Sequence, residues 1–222
     1  MSEVGGIVVQ ADLRGAWTGV RDQGARPTCL ACVVSDAHAH AHGLEHRLSA
    51  EYLFYTGFKK VPSPIVANGL TLVAADQALR DDGQPSEIEW PYQPKTPDPW
   101  EPPALTKIWR GSLDVCVDGA AGVIESLQAG MPVVLGLRVV PGFNRVQAAP
   151  HIIDTSGKPA GGHAVLGVGL GSSVEGRSID LVLIRNSWGF RWGTGGHAWL
   201  PLDYLKNNLV GSRTIATLPL AA

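Results

Sequence analysis

The chain has 222 residues, 45% of them hydrophobic and 17% charged, with a formal net charge of −2. That length provides one large domain or two small lobes with a sizeable core. The near-neutral balance argues against nucleic acid or an anionic membrane surface as a partner. The first ten residues, MSEVGGIVVQ, lack a basic region followed by a long apolar one, and no apolar run approaches the ~20 residues that span a bilayer. Cys29, Cys32 and Cys116 are too few, and odd in number, for a disulfide framework, so a reducing, cytoplasmic compartment is expected.

Residues 1–27 carry Gly and Pro punctuation without a sustained period and are expected to be irregular. Thr28 is placed to cap a helix that runs from Cys29 to about His42 and stops at Gly43. Ser49 caps a second helix carrying Leu53, Phe54, Tyr55 and Phe58. Residues 61–68 are expected as a loop. Leu70 to Asp81 forms a third helix with Leu72, Ala75 and Leu79 on one face, ended by Gly83. Seven of the 16 prolines fall between Pro85 and Pro103, which marks a crossing segment without regular structure. Beyond a boundary near 105–112 the pattern changes. A short helix over Asp118–Gln128 precedes runs rich in β-branched residues at Val133–Val140, Ala164–Leu170, Ile179–Asn186 and Gly196–Leu200. Helices first and strands second make an α+β chain: a helical lobe over about 12–110 and a β-rich, barrel-like lobe over about 111–215.

Three chemistries compete in the stretch from Gln23 to Gly43. Cys29 and Cys32 form a C-x-x-C pair, but no βαβ pattern surrounds it as in thioredoxin-type motifs. Cys32 is one helical turn on and is expected to pack in the core, with a resolving role under oxidation as the alternative. His38 and His42 share a helix face and could hold a divalent metal; a solvated face is the favoured reading, and no metal is assigned. The third chemistry is Cys29 as nucleophile. The unpaired N–H groups and positive macrodipole end of a helix N-terminus favour a thiolate. Such a nucleophile needs a basic partner and a group that orients it. His163 opens one apolar strand, and Asn186 closes another. If those strands pair antiparallel, the asparagine can hold the imidazole without adding charge.

These residues sit in three segments that together resemble the papain family of cysteine peptidases. The first is Val20-Arg21-Asp22-Gln23-Gly24 leading to Cys29; the second begins at Gly162-His163-Ala164-Val165; the third is Asn186-Ser187-Trp188-Gly189 followed by Trp192-Gly193. Leu48 to Tyr55 and Trp90-Pro91-Tyr92 are also similar to bacterial members, and the resemblance covers about residues 10–205. It implies a two-lobe fold with the active site in a cleft, and thiol-dependent cleavage of peptide or isopeptide bonds through an acyl-enzyme. Cys29 is then the nucleophile, His163 its partner and Asn186 the residue that orients His163. The Gln23 side chain and Cys29 N–H form the oxyanion hole, Trp188 covers the His–Asn contact, and Gly69 and Gly162 join Trp188 as cleft residues. No cofactor is implied. The implied partner is a peptide or protein substrate, with room for an inhibitor protein or regulatory partner; neither nucleic acid nor membrane is implied. Acyl transfer or deamidation on the same triad, a catalytically inactive peptide-binding module, and a thiol–disulfide enzyme are the alternatives.

The chain departs from the family at several points. Arg26 stands where the family has a half-cystine, so the usual nearby disulfide is absent. Leu30 replaces the tryptophan after the nucleophile, and Asn68-Gly69 the usual glycine pair. Only about eleven residues precede Asp12-Leu13-Arg14, which resembles a mature start. Either a pro-segment has been cut away or the enzyme never had one. The 84–103 segment and the stretch from Pro141 to Gly162 are candidate specificity loops, the second also a candidate lid.

Overall fold

The structure, a computed structural model, describes residues 2–4, 6–62, 65, 68–146, 150–173 and 178–219. The chain divides into two units: residues 1–22 with 115–214, and residues 23–114 with 215–222.

The first unit is built on an antiparallel sheet. Its strands are β1 (Ser2–Val4), β2 (Ile7–Asp12), β4 (Val133–Val139), β5 (Gly161–Ser172), β6 (Leu181–Arg185), β7 (His197–Pro201) and the first half of β8 (Leu209–Leu218). β3 (Arg110–Val115) belongs almost wholly to the other unit. β5 organises the pairing. β4 pairs with it from Gly161 to Gly167, and β2 from Gly169 to Ser172. β6 pairs with residues 166–171 and therefore occupies the opposite edge. β8 continues from β4, and β7 from β6.

Among the described residues the sheet does not close into a barrel, contrary to the barrel-like expectation. Two strands share one edge of β5, so pairing branches instead of running round, and among the described residues β1 and β7 each have a single partner strand. Glycine permits the close approach at the fork: a Cβ on Gly169 would lie 2.5 Å from the Ala11 carbonyl oxygen. Helix α4 (Ala120–Gln128) packs Val123 and Leu127 into the core with Leu135, Val165, Ile184 and Leu200, all fully or almost fully buried. Short α5 (Leu202–Asn208) adds Tyr204 and Leu205.

The expectation of irregular structure before residue 27 is overturned by β1 and β2. Ile7 and Val9 alternate inward with period 2, but a run of six residues ending in Gln10, Ala11 and Asp12 is too short and mixed to announce a strand.

The second unit carries three helices. α1 (Cys29–Ala41) ends where Gly43, at φ 63°, takes the left-handed conformation that closes a C-cap, with Leu44 N–H donating to the Ala39 carbonyl. Thr28 holds the N-cap position of α1 without capping it: its hydroxyl is 2.7 Å from the Tyr92 hydroxyl instead. Ser49 does cap α2 (Ala50–Lys59), accepting from Tyr52 N–H at 3.0 Å and donating to the Trp90 carbonyl at 2.7 Å. Thr71 caps α3 (Leu72–Asp81), which begins two residues later than the expected start at Leu70. Residues 84–103 contain no helix or strand, as expected.

His38 corrects another expectation. Its face of α1 is not solvated; the ring is fully buried. Gln84 Nε2 donates to Ser35 Oγ (2.6 Å) and the Ser49 carbonyl (2.9 Å), which leaves Gln84 Oε1 to accept from His38 Nδ1–H at 2.8 Å. The Arg110 carbonyl can only accept, so His42 Nε2 carries a proton toward it (2.9 Å) and toward the bare Nε2 of His38 (3.1 Å). A neutral His38 satisfies this chain of bonds. Helical spacing gave His38 and His42 a common face; it did not show that Gln84, 46 positions away, covers that face.

Burial lowers the His38 pKa from 6.5 to about 4, and burial likewise lowers that of His197 in the first unit to about 4. Unfolded imidazoles therefore take up protons that the folded ones refuse between about pH 6.5 and 4. The stability they contribute is complete above pH 6.5 and is lost as pH falls toward 4. For His38 the loss is roughly 3 kcal/mol. Urea midpoints should hold from pH 7.5 to about 6.5 and fall from there to 4.5, and His38→Gln should flatten that decline.

Candidate functional site

His163 is the third residue of β5, where it pairs across to Leu137 of β4. Asn186 follows the last residue of β6, and its N–H donates to the Gly196 carbonyl at 3.0 Å. The antiparallel pairing of β5 with β6 brings the two side chains together, with His163 Nε2 2.7 Å from Asn186 Oδ1. Ser187 N–H donates to the same oxygen at 2.8 Å. Two donors converging on one atom fix the asparagine's orientation: a flipped amide would set its NH2 against the Ser187 N–H. The oxygen therefore accepts a hydrogen bond from His163 Nε2–H, and the lone pair of the neutral ring sits on Nδ1. Asn186 Nδ2 is buried and has no hydrogen-bond partner among the described residues, so the carbonyl is the part of this amide that the site uses.

The pair is kept dry. Asn186 is 2% exposed and His163 7%. The Trp188 ring stacks over the imidazole at 4.6 Å between centroids with 30° between planes, and Trp192 meets Trp188 edge-on at 6.0 Å. Trp192 is held in turn by its Nε1–H, which donates to the Phe143 carbonyl at 2.7 Å. Burial lowers the His163 pKa, and the Asn186 bond opposes that shift only in part. Such a ring is a neutral proton acceptor at neutral pH unless an anion faces it.

Within the same unit, the strand of chain before Gln23 meets the loop after Asn186. Asp22 bridges Trp188, and Gly189 N–H donates to the Arg21 carbonyl at 2.9 Å. Gly162, beside His163, is exposed, and open space surrounds the position of a Cβ there.

The second unit holds Gln23, Cys29 and Gly69. Cys29 is the first residue of α1 and partly exposed; Cys32, one turn on, is 1% exposed. None of the three cysteines is in a disulfide. Gln23 is buried, its Nε2 donating to the Arg26 carbonyl at 2.8 Å, while its own carbonyl accepts from the Tyr92 hydroxyl at 2.8 Å. Gly69, at φ 69°, lies so close to Pro27 that a Cβ would come within 2.7 Å of the Pro27 carbonyl oxygen. The residues ahead of Cys29 are thus gripped from several sides.

Some of this was not foreseen from the sequence. Arg26 was noted only for the disulfide it displaces. Glu51, on α2, was not singled out. Tyr92 entered only within a longer matching segment. In the stretch from Pro141 to Gly162, residues 147–149 lie outside the described residues. The remainder includes a 3-10 turn, Pro141–Arg145, with Phe143 fully buried. No group of three His, Cys, Asp or Glu side chains arranged to hold a metal occurs among the described residues.

Comparison with known proteins gives a coherent result. The model of the papain family of cysteine proteases matches residues 10–217. Digestive cysteine proteinase 2 of Homarus americanus is 24% identical over 225 residues, covering 98% of this chain and 68% of its own length. A cathepsin L-like peptidase of Aedes aegypti is 26% identical over 214 residues, 93% of this chain and 61% of its own. An uncharacterized peptidase C1-like protein of Acanthamoeba polyphaga mimivirus is 24% identical over 212 residues, 86% of this chain and 67% of its own. The chain thus spans 61–68% of the length of these relatives. Among solved structures, xylellain, a cysteine protease of Xylella fastidiosa, superposes with a TM-score of 0.76 at 23% identity, covering 96% of this chain and 88% of its own. A Carica candamarcensis cysteine protease in complex with E-64 gives 0.65 at 21% identity, covering 96% and 98%. At those identities the structural likeness establishes the fold.

The hydrogen bond to Asn186 should hold the neutral His163 ring in its Nε2–H form. Removing it with Asn186→Ala withdraws about 1 kcal/mol of bias, or roughly a five-fold change in tautomer ratio. Ring nitrogen chemical shifts of labelled histidine measure that ratio directly.

Proposed function

The chain belongs to the papain family of cysteine proteases, and we propose that it hydrolyses peptide or isopeptide bonds through a thioester on Cys29. The observation that carries the proposal is the 2.7 Å bond between His163 Nε2 and Asn186 Oδ1, sealed under Trp188. It leaves a buried, oriented imidazole with its free lone pair on Nδ1, the form a general base requires. Cys29 at the head of α1 supplies the nucleophile, where backbone N–H groups without helical partners favour an anion.

The reaction proceeds in two halves. The Cys29 thiol gives its proton to His163 Nδ1, and the sulfur attacks the scissile carbonyl carbon. A C–S bond forms, and the carbonyl electrons move onto oxygen. The Gln23 amide and the Cys29 N–H receive that charge. Collapse re-forms the carbonyl and breaks the C–N bond, while the imidazolium protonates the departing amine. Water then attacks the thioester, giving a proton to His163, and the acid leaves as the thiol is restored. Asn186 remains neutral throughout and holds the ring's direction.

The substrate is a peptide or protein segment, and Gly69, Gly162 and Trp188 are the residues we assign to contact it. Three cysteines outside any disulfide suit a reducing compartment such as the cytoplasm. No helix among the described residues is long and apolar enough to cross a membrane.

Cys29→Ala should lower turnover by at least about a thousand-fold on every peptide the unaltered protein cleaves. Mass spectrometry of the products should show the addition of one water. A mass increment equal to an added amine would assign acyl transfer instead, and unchanged turnover would remove Cys29 from the mechanism.

A further inference from the structure

Arg26 and Glu51 form a buried ion pair 25 residues apart, their side chains 6% and 0% exposed. Burying two charges is costly unless every lone pair and proton finds a partner. Here the carboxylate does. Glu51 Oε2 accepts from Arg26 Nη1 at 2.5 Å and from Gln93 N–H at 3.1 Å. Glu51 Oε1 accepts from Arg26 Nη2 at 2.9 Å and from Trp100 Nε1–H at 2.9 Å. Arg26 Nη1 also reaches the Gln93 carbonyl at 2.7 Å, and the guanidinium lies over the rings of Phe54 and Tyr92, each 5.3 Å from the centroid. Helix α2 and the proline-rich 84–103 segment therefore converge on one side chain in the turn ahead of Cys29.

That turn carries Gln23. The Arg26 carbonyl accepts the Gln23 amide at 2.8 Å. The Tyr92 hydroxyl donates to the Gln23 carbonyl at 2.8 Å and receives its own bond from the Thr28 hydroxyl at 2.7 Å. Thr28 is free for this because it does not cap α1. Gln23 is thus fixed at its backbone by Tyr92 and at its side chain by a residue that Glu51 locks. We propose that Arg26, Glu51 and Tyr92 are positioning residues for the oxyanion site. They form a non-covalent clasp that sets the direction of the Gln23 amide in place of a cross-link at Arg26. The inference rests on Gln23 being an oxyanion donor. It gives the proline-rich segment a part in catalysis that does not require contact with substrate.

The test compares two reactions of Cys29. Peptide hydrolysis develops an oxyanion; alkylation by iodoacetamide, a displacement at a saturated carbon, does not. Arg26→Lys retains the charge but loses the two-pronged geometry, and Tyr92→Phe removes a single hydroxyl. Each should lower kcat about ten-fold, with KM and the iodoacetamide rate within about two-fold of the unaltered protein. In a Gln23→Ala background neither should lower kcat further. If Arg26→Lys does not fold, Tyr92→Phe carries the comparison alone. Equal losses with and without Gln23, or an unchanged kcat in Tyr92→Phe, would overturn the clasp while leaving Gln23 as a donor. An unchanged kcat in Gln23→Ala alone would overturn the oxyanion assignment and the clasp with it.

Discussion

A buried imidazole that must take and return a proton has to be fixed in one orientation, without a permanent charge beside it that would hold the proton there. In this chain one oxygen meets both requirements. Asn186 Oδ1 accepts from His163 Nε2 and from Ser187 N–H, and the second bond prevents the amide from turning over. A carboxylate in that place would bias the ring toward the imidazolium; an uncharged acceptor orients it with less effect on its charge. The surrounding fold serves this contact. β5 pairs with β6 so that a strand-opening histidine meets a strand-ending asparagine, and the Trp188–Trp192 pair covers them with apolar surface.

The second unit solves a different problem, that of holding a turn rigid beside a helix N-terminus without a disulfide. It does so with buried polar groups. Glu51 satisfies four donors, Gln84 links α1 to the start of α2 through Ser35, His38 and the Ser49 carbonyl, and Ser49 ties α2 to Trp90. Each network is costly if half made and rigid when complete. Proline-rich chain suits this use, because its few N–H groups leave carbonyls and side chains as the attachment points.

The residues proposed for catalysis stand out in the sequence because they punctuate elements. Cys29 opens a helix, His163 opens an apolar strand, and Asn186 ends one before Ser-Trp-Gly. The long strands around β4 and β5 were legible from their β-branched runs. β2, β3 and β8 were not. Their residues alternate with charged or small ones over short stretches, and β8 follows directly on helix α5 with no Gly or Pro between. The open sheet was hidden for another reason: where β2 and β4 divide one edge of β5 is a matter of register, set by partners more than 20 residues distant. Burial of His38 escaped for the same reason, since its cover comes from Gln84. Arg26 was visible as an oddity, but its value depends on Glu51, Gln93 and Trp100, which only folding assembles.

The central claim is that the imidazole held by Asn186 is the base for the Cys29 thiol. It is tested most directly by the rate of Cys29 alkylation with iodoacetamide across pH 4–10, in the unaltered protein and in His163→Ala. The account predicts that alkylation in the unaltered protein persists well below the ordinary thiol range near pH 8.5, because an imidazolium forms beside the thiolate. It predicts that His163→Ala collapses the profile to a single thiol titration. Superimposable profiles for the two proteins would contradict it.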